Sequence, residues 1–400
     1  MALLGFLTIA VFLYLILSKR VSVIVALILV PFLFALIGGF GVEIGPMALA
    51  GIEEVAPTGV MLGFAILFFG IMNQAGLFDP LITRILKMVQ GDPLKIVMGT
   101  VVIAMLTHLD GSGASTFLIT IPALLPLYDR VGMSRLVLAG MVALGAGTMN
   151  MIPWGGPTVR AASSLGLEVN AIFTPLIPAM VAGIGWILFV SYLIGKRERK
   201  RVGIHDFEYD FKQELSAEEM ASRRPKLFWL NLVLTIVTVV ALVKAWLPLP
   251  IIFMVALAVA LLVNYPDPKE QQARLRAQAT GMVTVVSIIF AAGIFSGILS
   301  GTGMIDAMAQ SLVAVVPQQT GGWMALLVAV TSMPLSLIFT PDAYYFGVLP
   351  VLAQTAGVYG IESVEVARAA ILGQMTTGFP PQSVDCCYVF TDWIGGSGVG

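Results

Sequence analysis

The chain has 400 residues, 58% of them hydrophobic and 11% charged, with a formal net charge of −1 and a mean hydropathy of +0.95. A soluble domain carries about 25% charged residues, so the composition excludes a fold dissolved in water and predicts an all-α polytopic protein of the cell membrane. The balanced charge offers nothing to nucleic acid, the adjacent Cys386 and Cys387 form no CxxC or zinc pattern, and HExxH, P-loop and dinucleotide fingerprints are missing, so neither an enzyme nor a cofactor is expected.

A helix needs about 17–25 apolar residues to cross a bilayer. Runs of this kind lie near 2–18, 21–40, 58–76, 134–149, 171–195, 226–247, 249–264, 280–300 and 363–378. Lys19 and Arg20 follow the first run rather than precede it, which predicts a retained anchor, not a signal peptide. Regions 94–127 and 323–355 each hold two shorter runs around a tip bearing Gly, Pro or Asp. Irregular backbone at membrane depth survives only when buried in protein or lining a cavity, so each region is read as a re-entrant helical hairpin. With both hairpins re-entrant, 19 of the 22 Lys and Arg residues fall on one side, all but Arg160, Lys244 and Arg368. The first hairpin then opens on the cytoplasmic side and the second on the external side. Lys196–Lys226, which includes His205, is the one long polar stretch and reads as a cytoplasmic linker with a short amphipathic helix near Ser216–Ala221.

The two sides of that linker repeat. An offset of 228 pairs Pro122 with Pro350, Gly132 with Gly360, Gly145 with Gly373, Thr148 with Thr376 and Pro153 with Pro381; an offset of 227 pairs Gly76 with Gly303 and Asp79 with Asp306. Residues 1–195 are thus expected to be a first inverted repeat, 196–225 the linker, and 226–400 a second repeat. The run at 171–195 projects beyond Gly400, so the last helix of the second repeat is expected to be missing. Interrupted apolar segments at matching places in two halves point to a transporter's binding site.

Four interruptions carry the chemistry. At the first hairpin tip, Asp110 could take up a proton, bind a cation or cap the following helix, whose start carries Ser112, Gly113, Ser115 and Thr116. His108 could share that proton, line a cavity or be a satisfied core imidazole. At the first break, Pro153, Gly155, Gly156 and Pro157 unwind the helix and free backbone N–H groups that attract anions, with Asn150 and Thr158 as side-chain partners. Arg160 suits a carboxylate or could snorkel to the interface. Thr340, Asp342 and Tyr344 form the second tip; Thr376, Thr377, Gln382, Ser383 and Asp385 flank the second break. Asp342 falls opposite Ala114 in the repeat, so the halves have specialised. Asp79 and Asp306 read as structural residues at helix ends.

These residues resemble the citrate–divalent-metal:proton symporter family (CitMHS), within the ion-transporter superfamily that also holds sodium-coupled dicarboxylate carriers. The resemblance covers about residues 58–385 and is carried by LTHLDGSGASTFLITIPALLPLYDRVGM, NMIPWGGPTVRAAS and TPDAYYFGVLPVL. Two departures stand out: FPPQS at the second break differs from a small-residue pattern, and Ser112 stands where the family often has a second Asp. The resemblance implies import of citrate as a divalent-metal complex with protons, by an elevator motion of a transport domain against a dimeric scaffold. It implies a substrate-binding set of Ser112, Gly113, Ser115, Thr116, Asn150, Gly155, Gly156, Thr158, Arg160, Thr340, Tyr344, Thr377 and Ser383. Proton or cation coupling would fall to His108, Asp110 and Asp342. Asp110 and Asp342 are the candidate metal ligands, the metal being held mainly by citrate, and magnesium or another divalent cation enters as co-substrate. Alternatives are a sodium-coupled di- or tricarboxylate or other organic-anion carrier, and a channel-like pore. The partners implied are the citrate–metal complex, protons or sodium, the lipid bilayer and a second copy in a homodimer.

Overall fold

A computed structural model of the chain describes residues 1–89, 91–111, 113–204, 217–315 and 321–375. Every regular element among them is helical. The first half contains α1 (Ala2–Leu17), α2 (Val23–Ile37), α3 (Ile44–Gln74), α4 (Asp79–Val89), α5 (Pro93–Thr107), α6 (Gly113–Val131), α7 (Arg135–Met149), α8 (Gly156–Leu165) and α9 (Val169–Val202). A short α10 (Ala217–Ser222) lies in the linker, close to its expected place. The second half contains α11 (Phe228–Val243), α12 (Leu249–Asn264), α13 (Pro268–Gly301), α14 (Met304–Val313), α15 (Met324–Ile338), α16 (Leu349–Val358) and α17 (Ser363–Met375). α16 is entered through π-helical turns at Ala343–Val348.

The repeat extends from sequence into conformation. If the π-helical turns are counted with α16, every start and end of α1–α7 recurs in α11–α17 between 224 and 231 residues later. The paired Gly76 and Gly303 have φ of +84° and +69°, and Gly132 and Gly360 have +74° and +82°. Only residues without a Cβ enter this left-handed region without strain, which is why these turns kept their glycines. Packing repeats as well. A Cβ on Gly145 would press on Val101 and Ala104, and one on Gly373 would press on Ala329 and Ser332, each partner again 228 residues on.

Several helices run past the apolar segments that signal them. α3 starts at Ile44, well before residue 58, because Pro46, Glu53, Glu54 and Pro57 interrupt the hydropathy but not the helix. Pro46 falls in the first turn, where the N–H it lacks would be unbonded anyway, and Glu53 and Glu54 are exposed. α9 continues through the basic cluster to Val202, and α13 begins at Pro268 with a charged turn. Trp229 at the start of α11 and Trp246 just beyond its end flank the apolar stretch and are 73% and 63% exposed. The 16 residues of α11 span about 24 Å, approaching the hydrocarbon thickness that aromatic residues bracket.

The chain forms two compact units, each drawn from both halves. Among the described residues, one comprises Met1–Phe64, Met151–Leu176 and Ala279–Met375, and the other comprises Ala65–Asn150 and Ile177–Gln278. Thus α1 and α2 share a unit with the second hairpin, while α11 and α12 share one with the first. In the first unit Phe12 packs on Phe295 at 4.7 Å between ring centroids. α3 crosses α13 there with almost no side-chain layer: a Cβ on Gly293 would lie 2.6 Å from the Gly51 carbonyl oxygen. In the second unit Phe68, Phe69 and Phe253 form a buried ring cluster, and Asn231 and Asn264 exchange two 2.8 Å hydrogen bonds between α11 and α12. Asp92 caps α5 and pairs with Arg199 of α9.

Candidate functional site

Each unit carries one polar cluster at a hairpin tip. In the second unit, α5 ends in a 3-10 turn at His108–Asp110, and Gly111 (φ +75°) reverses the chain into α6. The arms are laced by Thr100 to Tyr128 at 2.9 Å and Thr107 to Thr120 at 3.1 Å. His108 is fully buried, with Nδ1 2.8 Å from Thr116 Oγ1 and Nε2 3.0 Å from Asn150 Oδ1. The amide oxygen only accepts, so in the neutral ring Nε2–H donates to Asn150 and Nδ1 accepts the Thr116 hydroxyl proton. His108 therefore ties the hairpin tip to Asn150, the residue that ends α7. Asp110 accepts a hydrogen bond from Ser115, within the tip itself. Gly113 opens α6. The expected site residue Ser112 lies outside the described residues.

In the first unit, the break after α7 runs over residues 151–155. Gly155 is extended (φ −67°, ψ 143°) and Gly156 opens α8. Thr158, fully buried, donates to the Met151 carbonyl at 3.3 Å and so closes the break. Arg160 stands one turn into α8, its guanidinium folded back over the helix start: a Cβ on Gly156 would lie 2.7 Å from Nη1. Its Nε donates to Asp342 Oδ1 at 2.6 Å, with the two side chains 22% and 14% exposed. The pairing engages the guanidinium within the protein, in contrast to a snorkelling cation. At the second tip, the Ala343 N–H donates to Thr340 Oγ1 at 3.3 Å. Tyr344 and Tyr345 follow in the π-helical turns, fully buried and edge-to-face at 5.3 Å. The Tyr345 hydroxyl has no hydrogen-bond partner among the described residues.

The structure thus gathers His108, Asp110, Ser115, Thr116 and Asn150 in one cluster, and Gly155, Gly156, Thr158, Arg160, Thr340, Asp342 and Tyr344 along the second tip and the first break. Tyr345 was not anticipated; the adjacent-tyrosine pair was the only signal for it. Thr376, Thr377, Gln382, Ser383, Asp385, Cys386, Cys387 and His205 lie outside the described residues. Asp79 and Asp306 both occupy the first turn of a helix, the former paired with Arg223 at 3.0 Å and the latter accepting from Gln354 at 2.6 Å. Among the described residues no three His, Cys, Asp or Glu side chains converge to hold a metal ion.

Repeated halves, polar hairpin tips and a helix broken beside them, on a frame that has, among the described residues, five helices long and apolar enough to cross a membrane, define a multi-pass membrane protein of the transporter class. Residues 12–373 match the family model described as Citrate transporter (CitMHS), and the chain belongs to that family. It is similar to the Citrate transporter of Bacillus subtilis (strain 168), 54% identical over 374 residues, covering 94% of this chain and 87% of that one. The Mg(2+)/citrate complex secondary transporter of the same organism is 48% identical over 381 residues with the same coverage. The fold resembles the crystal structure of the Alcanivorax borkumensis YdaH transporter, with a TM-score of 0.55 and 16% identity, covering 86% of this chain and 80% of that one.

Proposed function

We propose that the chain is a secondary active transporter that imports citrate as a divalent-metal complex in symport with protons, by an elevator-type alternation within a homodimer. The observation that carries this is the pairing of Arg160 and Asp342 beside the opened start of α8. An arginine for a carboxylate and a carboxylate for a cation suit a ligand bearing both signs. The metal's preference for oxygen is met mostly by citrate itself, which fits a chain whose described residues hold no cluster of three metal-ligating groups. The 48% identity to a protein named as a Mg(2+)/citrate complex secondary transporter supports the same reading.

In this reading Ser115, Thr116, Asn150, Gly155, Gly156, Thr158, Thr340 and Tyr344 contribute donors or room to the citrate site, joined by Gly113, Ser112, Thr377 and Ser383. His108, Asp110 and Asp342 are the groups for coupling. The test is radiolabelled citrate uptake into proteoliposomes with magnesium, calcium, zinc or no divalent cation, in the absence of sodium. Uptake is expected only with a divalent cation, and it collapses when the proton gradient is dissipated. Sodium-dependent uptake, or none with any metal in folded protein, would overturn the proposal.

A further inference from the structure

We propose that the Arg160–Asp342 ion pair is the element that selects the metal complex over free citrate: the complex inserts between the two groups, its carboxylate taking Arg160 and its metal taking Asp342. The inference rests on the reading of metal–citrate transport above and adds a mechanism for its selectivity.

The pair has the geometry of a latch rather than a clamp. A bidentate arginine–carboxylate pair uses two parallel N–H donors, whereas here a single bond joins Nε to Oδ1 at 2.6 Å. Among the described residues the terminal amino groups of Arg160 are left for another acceptor, and Nη1 lies over Gly156, where a Cβ would come within 2.7 Å of it. Asp342 immediately precedes the π-helical turns Ala343–Val348. Such turns are tolerated in short stretches and often mark functional positions, because their wider turn can be exchanged for α-helix. The fully buried Tyr345 hydroxyl, unpartnered among the described residues, sits in those turns. It offers the incoming complex one more polar contact.

Charge then decides what can open the latch. Free citrate could take Arg160, but would leave Asp342 as an uncompensated carboxylate facing further carboxylates. A free divalent cation could take Asp342, but would leave Arg160 facing it. Removing one partner from a mostly buried pair is strongly unfavourable, because the remaining charge has neither water nor counter-ion. A ligand with a carboxylate and a metal satisfies both groups at once, and it brings less net negative charge to the site than free citrate does.

The test is isothermal titration of the purified full chain in lipid nanodiscs, at one pH, with citrate alone, magnesium alone and the two together. Wild type is expected to bind citrate at least about tenfold more tightly when magnesium is present. In Asp342→Asn, affinity for metal-free citrate rises about tenfold and the magnesium advantage falls below about threefold; Asp342→Glu retains the advantage. Should D342N fail to fold, the double replacement R160Q/D342N, which leaves no unpaired charge, is read for the magnesium advantage alone, its citrate affinity being lower in both forms through the loss of Arg160. Loss of the magnesium advantage supports the proposal, and its retention overturns it. Wild type that binds citrate in neither form would refute metal–citrate transport itself. Metal-dependent wild type with an equally metal-dependent D342N refutes only the latch.

Discussion

The close crossing of α3 and α13 depends on the lack of side chains, and adding a methyl group to it tests the packing directly. A Cβ on Gly51 would meet the Gly293 carbonyl oxygen and lie 2.8 Å from Gly297 Cα; a Cβ on Gly293 would lie 2.6 Å from the Gly51 oxygen and one on Gly297 2.8 Å from Gly51 Cα. Ordinary contact begins near 3.4 Å, so Gly293→Ala requires the helices to part by about 0.8 Å, and Gly51→Ala by more. The obstructing atoms are backbone on both sides, so no rotamer change relieves the clash. Overpacking typically costs 1–3 kcal/mol, and close approach at small residues is what drives helix association in lipid. Gly51→Ala is therefore expected to cost about 3 kcal/mol or more. Two controls grade the effect. Gly281→Ala, on the same α13, meets nothing within 4 Å and is expected to be neutral or stabilising by up to about 1 kcal/mol through helix propensity. Gly59→Ala would touch the tip of the Phe290 ring at 3.2 Å and falls between. Thermal melting in a single detergent should order the melting temperatures as Gly281→Ala, Gly59→Ala, then Gly51→Ala. A Gly51→Ala protein that melts at or above the wild-type temperature would refute the backbone-contact argument.

Two further outcomes follow from polar contacts in the second unit. His108→Ala removes a buried imidazole from between Thr116 and Asn150 and should destabilise by about 2–4 kcal/mol, the range for two lost hydrogen bonds that leave buried groups behind; His108→Gln, which keeps an amide between Thr116 and Asn150, should lose less, as read by melting and by citrate uptake. Burial opposes ionisation of Asp92, but the hydrogen bond from Arg199, the Leu94 N–H and the charges of Arg199 and Lys95 outweigh it and hold its carboxyl below the ordinary 3.8. A carboxylate depressed on folding contributes stability that is full above 3.8 and lost as pH falls through its lower folded value. Melting of wild type should therefore drop more steeply below pH 3.8 than melting of Asp92→Asn, and parallel curves would remove Asp92 from the acid transition.

What was legible in the sequence, and what was not, follows from the range over which each feature acts. The hairpins, the break after α7 and the duplication were readable because glycine and proline fix local backbone, and both halves kept them at one offset: Gly132 and Gly360 occupy the same left-handed turn. The true start of α3 was hidden because Pro46, Glu53, Glu54 and Pro57 lower hydropathy without ending the helix. The compact units were hidden too, since each joins α1–α2 or α11–α12 to the other half's hairpin, a pairing that no local pattern encodes. Arg160 and Asp342 were each conspicuous as charges in apolar surroundings, yet their contact spans 182 residues. The repeat could not suggest it either, because Asp342 stands opposite Ala114. That asymmetry separates the two tips chemically. The first is tied by hydrogen bonds around a histidine whose two nitrogens both have partners, and it can exchange partners without moving net charge. The second is tied by an ion pair, which opens only for something that supplies both signs. A duplicated frame whose tips differ in this way gives one tip the discrimination of charge and leaves the other to respond to shape and hydrogen bonding, a division that replacing Asp342 and His108 in turn would expose as separate losses.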